Sequence, residues 1–88
     1  MNSGKKRVLF TLYSPQAETV YLAGSFNDWS PISDPMKKDN DGIWKKTKML
    51  SPGDYQYKFV VDGNWELDPT CQNTIYDSLG VLNHSIQV

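Results

Sequence analysis

Tyr55-Gln56-Tyr57-Lys58-Phe59-Val60-Val61-Asp62-Gly63-Asn64-Trp65-Glu66-Leu67 has the pattern of two strands around a tight turn. Tyr55, Tyr57, Phe59 and Val61 fall on one face of an extended chain, and Gln56, Lys58 and Val60 on the other, the alternation of a half-buried strand. Asp62-Gly63 is a strong hairpin signal and predicts a two-residue type I′ turn, with Asn64–Leu67 as the return strand. In that register Val61 faces Asn64, Val60 faces Trp65, and Phe59 faces Glu66. Directly paired residues share a sheet face. Trp65 therefore sits on the Val60 and Lys58 side and points outward, opposite the aromatic and aliphatic face that forms the core.

The rest of the chain reads as more strands. Val8–Tyr13 is β-branched and aromatic-rich and is stopped by Ser14-Pro15. Thr19–Ala23 follows, with Val20 and Leu22 on one face, and ends at Gly24. Ile43–Leu50 is closed by the turn Ser51-Pro52-Gly53, and a last strand runs from about Val81 to Val88. Five or six short strands without a usable helical stretch predict an all-β, immunoglobulin-like (early-set) antiparallel β-sandwich. The segment Gly24–Gly42, rich in Asn, Asp, Ser and Pro, is the longest irregular piece, and so long a loop usually carries function.

The 88 residues suit one module over 1–88, with its core from about residue 8 to 88. Three Trp, five Tyr and three Phe are more aromatics than so small a core can hide, so some belong on the surface. A net charge of −1 and a pI of about 5.6 argue against a nucleic-acid partner, which would call for a basic face. The basic clusters Lys5-Lys6-Arg7, Lys37-Lys38 and Lys45-Lys46 with Lys48 read as solvated surface. Cys71 is alone, which excludes an intrachain disulfide and a thiolate metal cage. The start, Met1–Arg7, is basic like a signal n-region, but the apolar run after it is too short. No segment approaches the roughly 20 apolar residues of a membrane span. The expected location is cytoplasmic.

An outward Trp beside a Lys, on a rigid two-stranded platform, suits sugar recognition. A pyranose packs its C–H face on an indole, and its hydroxyl edge needs donors and acceptors such as the Lys58 ammonium. Trp29 lies in the long loop, flanked by Asp28 and Ser30-Pro31, and its position alone leaves site and packing equally open. Phe26 and Trp44 are the core candidates of their segments.

Gly24-Ser25-Phe26-Asn27-Asp28-Trp29, then Gly42-Ile43-Trp44, then Pro52 through Trp65, then Asp68-Pro69 and Leu79-Gly80-Val81-Leu82-Asn83 occur in an order and spacing that resemble carbohydrate-binding module family 48. That family includes the glycogen-binding domain of the AMP-activated protein kinase β subunit and the early-set domains of isoamylases and glycogen branching enzymes. The likeness runs from about Val8 to Val88. It implies binding of α-1,4-linked glucans such as glycogen, starch, maltooligosaccharides and cyclodextrins. Two tryptophans that clasp the glucan match Trp29 and Trp65, and a lysine on sugar hydroxyls matches Lys58. A leucine reaching into the coil matches Leu79, and a polar contact from the last strand matches Asn83. Two features depart from the pattern. Val81 stands where kinase-type domains often carry threonine. Lys46 and Lys48 fall on the Trp44 phase, which fits either an edge strand with snorkelling lysines or a bulge that turns Thr47 and Met49 inward.

Other functions fare worse. His84 and Cys71 are the only residues of their types, and no nucleophile–base spacing supports catalysis. The ten carboxylates could contain a glycosidase pair, but a sandwich this small rarely encloses a cleft. Asp39-Asn40-Asp41-Gly42 has the look of a calcium loop, yet its frame puts Lys37 and Lys48 at ligand positions. No catalytic residue, metal or cofactor is expected. The alternative function is a protein-interaction module that docks onto a kinase or a glucan-active enzyme.

Overall fold

The computed structural model describes residues 4–88, so Met1, Asn2 and Ser3 of the basic start lie outside the described residues. The stretch that opens at Tyr55 becomes two strands around a tight turn. Asp62 and Gly63 both take positive φ, 48° and 86°, as a type I′ turn requires, and the glycine takes it without the Cβ penalty. Val61 pairs with Asn64, Val60 with Trp65 and Phe59 with Glu66, the expected register. Asp62 also ties the turn to the neighbouring strand: its Oδ1 accepts the backbone N–H groups of Glu18 and Thr19 at 2.8 and 2.9 Å.

In chain order the strands are β1 (Lys6–Tyr13), β2 (Val20–Gly24), β3 (Lys37–Lys38), β4 (Ile43–Leu50), β5 (Asp54–Val61), β6 (Asn64–Glu66), β7 (Thr74–Tyr76) and β8 (Leu82–Gln87). They form two antiparallel sheets, β1-β4-β3 and β2-β5-β8-β7, and β6 pairs with β5. The fold is an all-β sandwich of the expected class; the sole helical element among the described residues is the 3-10 turn Ser25–Asn27. β3 and β7 escape sequence reading because they span two and three residues, all exposed, and so carry no alternation of burial.

The core lies between the sheets. Phe10, Leu12, Trp44 and Leu50 come from one sheet; Val20, Leu22, Tyr57, Phe59 and Val61 come from the other. Phe10 meets Tyr57 edge-on with centroids 4.9 Å apart, and Tyr57 meets Phe59 the same way at 5.8 Å. Each fully buried large side chain contributes about 2–3 kcal/mol of transfer free energy. Two details differ from expectation. Phe26 is only partly buried, packed at the core margin against Phe10 and Tyr55. Val60, assigned to the outer face, is buried, because its cross-strand neighbours there are the bulky Tyr21 and Trp65.

β1 and β4 pair without a break from Lys6↔Leu50 to Tyr13↔Ile43, so no bulge turns Thr47 and Met49 inward, and both are exposed. Lys46 and Lys48 stay on the Trp44 phase. Their stems run along the core margin, and their ammonium groups end on Asp34 at 3.8 and 3.0 Å. Lys48 also lies over the Phe26 ring, 5.5 Å from its centroid.

His84 is fully buried under Tyr57 and Phe59, and its Nε2 accepts the backbone N–H of Asp68 at 2.7 Å. Nδ1 has no hydrogen-bond partner among the described residues; the nearby Asn73 carbonyl favours the cation but already accepts the Ser85 N–H. Burial holds the imidazole pKa below its ordinary 6.5. Around that pH the unfolded chain binds a proton that the folded chain refuses, so stability falls as pH drops through this range. Asp34, Asp39 and Asp77 are held below the ordinary 3.8 and add a second loss as pH falls below that value. Melting temperature should therefore decline in two stages below about pH 7. In His84→Leu the first stage should vanish, whatever the variant's absolute stability. A single carboxylate-range decline in the wild type would contradict this.

Candidate functional site

The outer face of the five-stranded sheet carries Trp65 and receives Trp29 from the long loop. Two strands share the same side of β5: β8 pairs with its first half up to Tyr57, and β6 with its last residues from Phe59. Lys58 falls at the seam between them. β6 brings Trp65 to one side of Lys58, and β8 brings Asn83 to the other.

Trp29 arrives from the long loop, and the loop's opening residues fix where. Gly24 ends β2 so close to β5 that a Cβ there would lie 2.6 Å from the Gln56 carbonyl oxygen and 2.8 Å from the Phe26 ring. Asn27 Oδ1 accepts the Gly24 N–H at 3.0 Å, while its Nδ2 donates to the Leu22 carbonyl and to Asp34 Oδ2 at 3.0 and 2.7 Å. The Trp29 N–H donates to the Gly24 carbonyl at 2.9 Å. This turn forces Asp28 and Trp29 into the left-handed region, with φ of 56° and 59°. A bulky aromatic there is strained by about 1–2 kcal/mol, and such strain concentrates at ligand clamps.

The structure brings all five sequence-predicted residues to one concavity of about 380 Å³, lined by Trp29, Lys58, Trp65, Asp77, Leu79, Val81 and Asn83. The Trp29 and Trp65 ring centroids are 6.5 Å apart, and their planes are inclined by 48°. Trp65 is 48% and Leu79 86% exposed, whereas Trp29 and Lys58 are half-buried. Lys58 makes no ion pair or hydrogen bond among the described residues, so its ammonium is available. Asn83, the polar contact expected from the last strand, is only 2% exposed. Its Nδ2 donates to Gln56 Oε1 and Asp77 Oδ2 at 3.1 and 3.3 Å, which locks the amide into the floor. Only its carbonyl oxygen is left to meet a ligand, as an acceptor.

Asp77 is the residue that sequence reasoning missed. Its Oδ1 accepts the backbone N–H groups of Leu79 and Val81, both at 2.9 Å, and so holds Leu79 out at the tip of the turn. The Val81 N–H first, then those of Leu79 and the Asn83 amide, with the Lys58 charge nearby, outweigh burial and keep its carboxyl below the ordinary range. Asp77-Ser78-Leu79-Gly80 carried a usable signal, an Asx-type turn with Gly at its end. Val81 offers no hydroxyl, so this wall of the concavity is apolar.

Among the described residues no cluster of His, Cys, Asp or Glu could hold a metal ion, and no helix is long and apolar enough to cross a membrane.

The chain is 41% identical over 69 residues to the 5'-AMP-activated protein kinase subunit beta-1 of Sus scrofa, covering 78% of this chain and 53% of that protein. It is 37% identical over 76 residues to subunit beta-2 of Mus musculus, covering 86% of this chain and 27% of that one. It is 40% identical over 63 residues to Protein PTST homolog 2, chloroplastic, of Arabidopsis thaliana, covering 72% of this chain and 12% of that protein. The chain thus spans about half the length, or less, of these relatives. The family described as the glycogen recognition site of AMP-activated protein kinase matches residues 8–88, and the chain belongs to that carbohydrate-binding family.

Proposed function

We propose that this chain is a non-catalytic module that binds curved α-1,4-linked glucans through Trp29 and Trp65, with Lys58, Leu79 and Asn83 completing the site. The observation that carries this reading is the inclination of the two indoles at the mouth of a polar-floored concavity. Centroids 6.5 Å apart leave no room for a sugar ring sandwiched between them. Side by side they form a bent platform instead, and two successive glucose rings can each lie on one indole. The 48° between the planes is close to the turn between neighbouring glucoses in a seven-membered cyclodextrin. The Lys58 ammonium donates to sugar hydroxyls, the Asn83 carbonyl accepts, and Leu79 projects into the curve of the chain.

The surface is open, and ordering a flexible oligosaccharide is costly, so a linear maltooligosaccharide should bind with a Kd of roughly micromolar to millimolar. A cyclic glucan, already curved, should bind more tightly than a linear one of equal size. Cellohexaose is flat and extended and should not engage the bent platform. Calorimetric titration of β-cyclodextrin, maltoheptaose and cellohexaose checks this order, and equal affinity for all three would refute it.

A second role is favoured by a separate observation. Leu9, Tyr13 and Met49 are exposed on the outer face of the three-stranded sheet, on the other sheet from Trp65. That face suits docking onto a protein, and the names of the subunit beta relatives point to a kinase as its partner. Cytoplasmic residence accords with the lone, unpaired Cys71.

A further inference from the structure

Beyond Trp29 the outer face of the five-stranded sheet continues into a second, larger concavity of about 860 Å³. Its floor follows the β5–β8 ladder, where Gln56 pairs with Ser85 and Asp54 with Gln87, and Asn73 stands beside them. The period-2 rule puts Asp54, Gln56, Ser85 and Gln87 on the same face as Lys58 and Asn83. Trp29 lines both concavities, and the Gln56–Asn83 hydrogen bond joins their floors.

We propose that this groove is an extension of the glucan site, in which further glucose units of the same chain run from Trp29 along Gln56 and Ser85 towards Asp54 and Gln87. The inference rests on the glucan reading above and adds where a longer chain goes. Three observations carry it. The side chains of Asn73, Ser85 and Gln87 make no hydrogen bond among the described residues, so amide and hydroxyl groups line the groove with unused capacity, the complement of a polyol. Apolar surface flanks them, with Trp29 on one side and the 45% exposed Ile75 on the other, as the C–H faces of sugars require. No lysine or arginine lines the groove and Asp54 does, so its chemistry selects a neutral hydroxylated ligand over a phosphorylated or otherwise anionic one. From Lys58 to Asp54 the strand advances about 13 Å, which leaves length for more than one added glucose unit.

The test compares ligands that differ in how far they can reach along the sheet. Maltotriose and β-cyclodextrin can be satisfied at the tryptophan pair, whereas maltoheptaose is long enough to enter the groove. Two variants spare the tryptophan pair: the double substitution Asn73→Ala with Gln87→Ala removes polar partners, and Ser85→Tyr fills the groove. Calorimetry should show maltoheptaose bound more tightly than maltotriose by the wild type. Each variant should weaken maltoheptaose by about fivefold or more while leaving β-cyclodextrin within about twofold. No gain with chain length in the wild type, or full maltoheptaose affinity in both variants, would overturn the extension and leave the tryptophan site standing. Failure of the wild type to bind any of the three would overturn the glucan reading and the extension with it.

Discussion

Trp65→Ala should weaken binding of β-cyclodextrin by roughly tenfold to a hundredfold, equivalent to about 1–3 kcal/mol, with the melting temperature lowered only by the uncovering of Val60. The indole is 48% exposed on a three-residue strand, and it rests on a sheet whose core lies on the other face. Its loss removes half of the platform that a bound sugar would cover. Trp29→Ala should cost binding by a similar factor. At that position, however, the backbone sits at a φ of 59°, where any side chain is penalised and glycine is not. Trp29→Gly should therefore be about 1 kcal/mol more stable than Trp29→Ala while binding no better. Affinity by calorimetry and stability by thermal melting separate the two effects. Unchanged affinity in Trp65→Ala would remove that residue from the site.

The largest loss of stability should come from Asp34→Ala, about 3 kcal/mol or more by urea denaturation. Asp34 is 7% exposed and accepts from Asn27 Nδ2 at 2.7 Å and from Lys48 Nζ at 3.0 and 3.1 Å, with Lys46 Nζ at 3.8 Å. Burial alone would raise its pKa, but the hydrogen bonds from Asn27 and Lys48 and the charges of Lys48 and Lys46 pull it below the ordinary value. Without the carboxylate, two lysines on the inner phase of β4 lose their counterion, and Asn27 loses a partner of the turn that presents Trp29. Glucan affinity should fall too, although Asp34 touches no part of the concavity. A loss under about 1 kcal/mol would show that the lysines find solvent readily and that the ion cluster contributes little.

These two residues mark what was legible in the sequence. Strict alternation and a two-residue turn with a unique register put Trp65 and Lys58 on one outer face by local geometry alone. Position alone leaves Trp29 undecided because a loop has no period, and its placement depends on Asn27 and Asp34, which meet only in the folded chain. The family resemblance supplied that assignment where local reasoning could not. The burial of Asn83 and the role of Asp77 stayed hidden for the same reason: both depend on which side-chain atoms meet across β5, β8 and the turn between β7 and β8. The lysines of β4 were ambiguous because an inward lysine is unfavourable until a buried carboxylate is found for it. β3 and β7 are too short for any pattern to reveal.

If Trp29 and Trp65 together form the glucan site, the three indole N–H signals in a proton–nitrogen correlation spectrum report it in one titration. Trp44 is an internal control: it is 6% exposed, and its Nε1 donates to the Ser14 carbonyl at 2.8 Å inside the core. On addition of β-cyclodextrin the signals of Trp29 and Trp65 should move in concert and saturate at one Kd, while that of Trp44 stays in place. A saturating shift that spares Trp29 and Trp65, or no shift of any indole at cyclodextrin concentrations of about 10 mM, would rule out a glucan site built on the two indoles.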